Sequence, residues 1–212
     1  DEQKGKEARK YIQQRQINLD SMKDWGLGLA IESWDNLTDA AKAKNIPEKL
    51  LLAAGLIVAR DNGQFYDKFR NRLMFPIADV NERTIGFGGR TLGDDPAKYM
   101  NSPATILFDK SNSLYGLDKA RHGIVSTGTA VVVEGYTDVI MAHQFECSNV
   151  VATLGTSFTS GHARTKTDTC SRIKSRFYLI LTDQNGIGIR CRTGMCRNKT
   201  TSPDNTIEST AI

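Results

Sequence analysis

Residues 129–156, TAVVVEGYTDVIMAHQFECSNVVATLGT, hold two short apolar runs separated by a mixed segment. The first run, 130–133, is too short for a free-standing helix and rich in valine, which predicts a buried strand. Residues 136–145 set Val139, Ile140, Met141 and Ala142 in a helical pattern, and a second strand-like run, 150–154, stops at Gly155. Strand, turn, helix, strand at this length predicts a βαβ unit and a parallel sheet, whose sites lie beyond the carboxyl ends of its strands. Glu134 falls at such an end and Asp138 one helical turn later, so both carboxylates can face one space. Spacing leaves two readings open. Glu134 caps the helix and meets its dipole while Asp138 is solvated, or the pair holds Mg²⁺ through hard oxygen ligands.

Upstream, the pattern predicts helices over 6–14, 19–25, 34–44 and 47–54, with a short strand reaching Ala30 after a break at Gly26. An extended segment begins at 56–58, and Asp61-Asn62-Gly63 signals a hairpin. Residues 66–72 alternate, so Lys68, Arg70 and Arg72 share a face if the run is a strand. A buried strand follows over 73–77, where Pro76 marks an edge or bulge. After a turn at 81–83, residues 84–90 return with Gly86, Gly88 and Gly89, which permit close backbone approach. Arg90, Lys98 and Lys110 come next in Gly-, Asn- and Ser-rich surroundings. This arrangement suits phosphate contacts better than scattered surface charge does. Tyr99 and Tyr115 either stack on bases or pack in the interior.

Length and composition change this picture little. With 212 residues, 39% hydrophobic and 25% charged, the chain has the makings of one or two ordinary domains. No apolar stretch is long enough to span a membrane, and the charged first ten residues do not make a signal peptide, so a cytoplasmic location is expected. The net charge of +4 is uneven: residues 1–160 carry 19 Lys and Arg against 20 Asp and Glu, whereas 161–212 carry 9 against 4. Cys147 stands alone, and Cys170, Cys191 and Cys196 have no companion ligands at zinc spacing, so all are expected to be free thiols.

Four stretches together carry a family resemblance. YDKFRNRLMFPIADVNERTIGFGGRTLGDDPAKYMNSPAT, FDKSNSLYGLDKAR, VVVEGYTDVI and ATLGT resemble the catalytic core of bacterial DnaG-type primases, a likeness running over residues 6–162. The resemblance implies an α/β protein in which an α+β N-terminal subdomain supplies a basic groove and a toprim domain supplies acidic metal ligands. It implies template-directed synthesis of short RNA primers from ribonucleoside triphosphates on single-stranded DNA, with Mg²⁺ or Mn²⁺, at the bacterial replication fork. By it, Glu134 and Asp138 match the toprim acidic positions, and Glu134 is a candidate acid/base group as well. Arg70, Arg72, Arg90, Lys98 and Lys110 match cations lining the groove, and Asn101 of AKYMNSP is a polar contact.

The likeness fades after His162. Where the family has a strand ending in an Asp-x-Asp pair, this chain has 176–186 with one aspartate, Asp183, at the second position. The first is missing because Thr182 follows the strand directly, which implies weaker metal binding. The expected organisation is therefore a core subdomain over 1–125, a partial toprim βαβ parallel sheet over 126–188, and a tail over 189–212 that is disordered or foreign to the fold. The chain reads as C-terminally truncated or corrupted, without the zinc-binding segment or the C-terminal region through which replicative helicase docks. A catalytically impaired fragment that still binds single-stranded DNA is the alternative reading.

Overall fold

The computed structural model describes residues 5–155, Thr159 and His162, and beyond these the backbone of four short strands. The first helix, α1 (Lys6–Gln14), buries Ala8, Tyr11 and Ile12, the i, i+3, i+4 stripe of an amphipathic helix. Helix α2 (Leu19–Asp24) starts where the Asn18 side chain accepts a hydrogen bond from the Ser21 amide at 2.7 Å. Strand β1 (Gly28–Ala30) leads to α3 (Asn36–Ala43) and α4 (Glu48–Ala53), then to the hairpin β2 (Ile57–Ala59) and β3 (Phe65–Asp67). The cap of α3 comes from far along the chain. Buried Asp67 accepts from the Leu37 amide (2.6 Å), the Thr38 amide (3.1 Å) and the Thr38 hydroxyl (2.8 Å), satisfying donors the helix cannot pair itself.

The run 66–72 is not one strand, contrary to its alternation. Strand β3 stops at Asp67, Asn71 takes a left-handed φ of 48°, and the next strand, β4, begins at Arg72 (Arg72–Ala78). The intervening amides bond elsewhere, Lys68 to the Leu56 carbonyl and Asn71 to that of Ile31. Strand β4 pairs antiparallel with β1 and with β5 (Thr84–Thr91), and β5 pairs with β6 (Tyr99–Asn101). Pro76 lies past the last β1 partner, Met74, so its missing donor falls on a locally unpaired side, and a register shift follows at Ile77/Ala78.

Helix α5 (Leu117–Thr127), which the apolar pattern had not singled out, precedes β7 (Thr129–Val133), α6 (Tyr136–Gln144) and β8 (Val150–Ala152). Strand β7 pairs in parallel with β8, as expected of a βαβ unit, and in parallel with β9 (Arg176–Leu179). The remaining backbone forms β10 (Leu181–Asp183), β11 (Gly186–Gly188) and β12 (Gly194–Met195). Strand β12 edges β9, whereas β10 and β11 make a separate two-stranded ladder.

The strands of the parallel sheet use both faces. Ala130, Val132 and Val151 pack on Leu117, Ala120 and Ile124 of α5. The opposite face joins α6 to the antiparallel sheet in one cluster, where Leu73, Phe75 and Ile77 meet Tyr136, Val139, Ile140 and Ala152. Residues on either side of position 125 thus share a core. Tyr136 is the joint: its ring stacks on Phe75 (4.9 Å between centroids, 13° between planes) and abuts Tyr115 edge-on at 4.7 Å. A β-carbon at Gly88 would come within 2.4 Å of that ring, which is why β5 carries glycine there.

Candidate active site

The carboxyl end of β7 and the first turn of α6 present the two expected acids. Glu134 follows the strand directly and is exposed, with no hydrogen bond or ion pair to the described residues. Asp138 lies in the first turn of α6. Its carboxylate lies beside Gly135, where a β-carbon would come within 2.9 Å of Oδ2. Asp138 is exposed, yet the neighbouring atoms that desolvate its carboxyl raise it, opposed by the charge of Arg15 and by the Gly135 amide. Asp183 ends β10, which pairs with β11 and not with a strand of the β12–β9–β7–β8 sheet; its side chain lies outside the described residues. Among the described residues no three His, Cys, Asp or Glu side chains converge as a metal cage.

Next to Asp138 runs a tract of cations and aromatic rings. Arg90 of β5 lays its guanidinium 3.7 Å over the Tyr11 ring, and Arg15 stands 5.5 Å from the same ring. The Tyr11 and Tyr99 hydroxyls are 3.4 Å apart, and burial pushes the Tyr99 hydroxyl well above its usual range. Arg90 uses one nitrogen on the Thr91 carbonyl (2.9 Å), while its buried Nε has no partner among the described residues. A cleft of about 160 Å³ opens here, lined by Glu7, Lys10, Tyr11, Gln14, Arg90 and Leu92. Lys98 is exposed just before β6.

The other expected cations are divided by the sheet. Register pairs Leu73 with Arg90 and Arg72 with Thr91, so Arg72 and Arg90 emerge on opposite faces of the β4–β5 ladder. Arg72 is only 2% exposed and donates to the Gly89 carbonyl (3.2 Å), the Ala97 carbonyl (2.9 Å) and Asp95 (2.5 Å). Those bonds pin the loop between β5 and β6. Arg70 donates to the carbonyls of Asp67 and Lys68 and lies 4.1 Å over the Trp34 ring. Asn101 is a strut between the two sheets: its Oδ1 accepts from the Tyr136 hydroxyl at 2.6 Å and its Nδ2 donates to the Leu154 carbonyl at 2.8 Å. Tyr115 is buried in the core, whereas Tyr99 is 41% exposed.

Lys110 occupies a loop held against the chain beyond β8, where His162 Nε2 donates to its carbonyl at 2.7 Å and the Thr159 hydroxyl donates to that of Ser111 at 2.7 Å. Lys68, which the alternation of 66–72 placed only as a strand-face cation, is close enough to Lys110 to feel its charge. Burial first, and Lys110 second, lower the Lys68 ammonium. Arg15 and Tyr11 are not among the candidates the sequence offers; their spacing of four along the first helix is the available signal. No described helix is long and apolar enough to cross a membrane, and exposed Cys147 is a free thiol.

Two family descriptions match the chain: "DNA primase catalytic core, N-terminal domain" over residues 1–121 and "Toprim domain" over 128–192. The DNA primase of Deinococcus radiodurans is 42% identical over 181 residues, which covers 85% of this chain and 31% of that protein. The chain thus spans about a third of the length of that curated relative. The RNA polymerase domain of Mycobacterium tuberculosis primase DnaG superposes with a TM-score of 0.78 at 34% identity, covering 85% of this chain and 60% of that one. A DnaG primase catalytic domain bound to single-stranded DNA gives 0.72 at 32% identity, covering 87% and 68%.

Proposed function

This chain belongs to the family of DNA primase catalytic cores, and we propose that it carries that family's chemistry, joining ribonucleoside triphosphates into short RNA primers on a single-stranded DNA template. One observation supports the reading above the others. The acid pair and the cation–aromatic tract adjoin, because Arg15 acts electrostatically on Asp138 and stands over Tyr11, whose hydroxyl reaches Tyr99. A template strand needs cations for its phosphates and flat rings for its bases. Primer synthesis needs carboxylates beside them.

The donor set fits Mg²⁺ or Mn²⁺. Glu134 offers hard oxygens with no described partner to give up, and the desolvation that raises the Asp138 carboxyl makes added positive charge beside it favourable. Asp183 is the third proposed acid. The bound cation supplies charge stabilisation for the attacking hydroxyl and the departing pyrophosphate. In this reading Arg90 and Lys98, with Arg15, take template phosphates, and Tyr99 takes a base. Arg70 and Lys110 hold nucleotide or strand phosphates. Arg72 and Asn101 act by position, Arg72 fixing the loop before β6 and Asn101 holding Tyr136, and with it the first turn of α6.

The test is synthesis from labelled ribonucleotides on single-stranded DNA with Mg²⁺ or Mn²⁺, alongside Glu134→Gln. Metal-dependent product that is lost in the variant is expected. The second reading, a strand-binding fragment that does not synthesise, is favoured by the single aspartate, Asp183, where the family resemblance implies an Asp-x-Asp pair. Absence of product together with salt-sensitive DNA binding retained in Glu134→Gln would establish that reading and refute the first.

A further inference from the structure

Helix α1 ends in a turn that ties its last residues firmly to the chain beyond. The Gln16 amide donates to the Gln13 carbonyl at 2.9 Å and the Ile17 amide to the Ile12 carbonyl at 3.2 Å, with Gln16 at a left-handed φ of 56°. These are the paired bonds of a Schellman closure. Ile12 and Ile17 are buried in one cluster, the apolar contact that accompanies such a closure. Exposed Arg15, at the helix end, is therefore carried on the same fixed turn as the Gln16 carbonyl. Its charge reaches both Asp138 and Tyr99.

That turn is gripped from α6. Gln144, the last residue of α6, donates from Nε2 to the Gln16 carbonyl at 3.0 Å and accepts on Oε1 from the Asn18 amide at 2.8 Å. One carboxamide thus takes an acceptor and a donor on either side of buried Ile17, as a neighbouring strand would. Asn18 is fixed from its other side as well, because its own side chain caps α2. Asp138 stands in the first turn of the helix that Gln144 ends.

We propose that Gln144 is a positioning residue: by clamping the turn between α1 and α2 it sets the register of α1 against α6, and so holds Arg15 beside the acids. The proposal rests on the strand-directed reading above. Gln144 itself acts only through α1. The apolar cluster shared by Ile12, Ile17, Val139 and Ile140 holds the two helices together, but such packing is non-directional and lets one slide along the other. Two hydrogen bonds of fixed geometry remove that freedom. The interaction of Arg15 with its partners falls with distance, so register decides whether this cation serves the site.

The test uses the whole 212-residue chain and Gln144→Met, which keeps side-chain length and helix propensity and removes both hydrogen bonds. Binding of labelled single-stranded oligonucleotide is followed by anisotropy across a salt series at low temperature, and amide exchange by NMR. In Gln144→Met the Asn18 amide should lose protection while amides inside α1 and α6 keep theirs. Affinity at low salt should fall about three-fold, and the salt slope should become shallower by about 0.7, the share of one phosphate on a single strand. Arg15→Ala should change the slope equally, and adding Gln144→Met to it should weaken binding no further. Gln16→Gly keeps the carbonyl and suits the left-handed turn, so it should behave as the parent. A merely structural role would lower the melting temperature of Gln144→Met and leave its slope at the parent value. That result would overturn the proposal, as would additive losses in the double variant or loss of protection throughout α1. A parent that binds no strand would remove the strand-directed reading, and this inference with it.

Discussion

Replacing Gly88 by alanine should damage the joint between the two sheets. The added methyl would sit 2.4 Å from the Tyr136 ring and its oxygen, whereas ordinary contact begins at 3.4 Å, so about 1 Å of retreat is required. Tyr136 has little room for it. Phe75 covers one ring face at 4.9 Å, Tyr115 blocks an edge at 4.7 Å, and the hydroxyl is tied to Asn101 at 2.6 Å. Overpacking a fitted core costs about 1–3 kcal/mol, and an unpaired buried hydroxyl adds a cost of about 1–3 kcal/mol if the Asn101 bond breaks. Destabilisation of about 3 kcal/mol is expected, lowering the melting temperature by roughly 6–12 °C for a chain of this size. Calorimetry or urea denaturation measures it. Gly28→Ala is the control, because its methyl meets nothing closer than Met74 at 4.0 Å and should shift stability by less than about 0.5 kcal/mol. Tyr136→Leu should partly rescue Gly88→Ala, giving a non-additive double mutant. A Gly88→Ala protein as stable as the Gly28→Ala control would refute the seating of Tyr136 on β5.

Two further outcomes are expected. Arg72→Ala should lower stability by about 3 kcal/mol by leaving the Gly89 and Ala97 carbonyls and Asp95 without their donor, while the salt dependence of DNA binding at low temperature stays unchanged; a shallower salt slope would show that Arg72 touches phosphate. Desolvation by neighbouring atoms raises the folded-state pKa of exposed Asp138 above its unfolded value, so the folded protein binds the proton more tightly and stability falls slightly as pH rises through that window. Asp138→Asn should therefore be at least as stable as the parent at neutral pH, with any advantage fading below the carboxylate range; denaturation midpoints across pH measure this, and a variant markedly less stable at neutral pH would refute it.

Local signals were read well where one element carried them. The stripe of Ala8, Tyr11 and Ile12, the Asn62-Gly63 turn and the valine run before Glu134 each produced the element expected. Helix α5 has its signal too, in the spacing of Leu117, Ala120 and Ile124 between Gly116 and Gly128. The alternation of 66–72 misled for a physical reason. Asp67 closes β3 and turns its side chain to cap α3, and the chain then leaves the strand direction through left-handed Asn71 before β4 begins.

The sequence by itself determined the family, the βαβ unit, the nearness of Glu134 to Asp138 and a supply of cations between β3 and α5. These follow from periodicity and short spacing, which the backbone geometry of a single element enforces. Tertiary structure alone decided how those groups are shared out. Strand register set Arg72 and Arg90 on opposite faces, and burial turned Arg72 inward to the β5–β6 loop. Packing made Asn101 a strut to Tyr136 instead of a free polar group, and folding brought Arg15 to Asp138 and Lys68 to Lys110 across tens of residues. Such pairings depend on register and on which side chains can be desolvated together, and neither is written in the neighbourhood of any one residue.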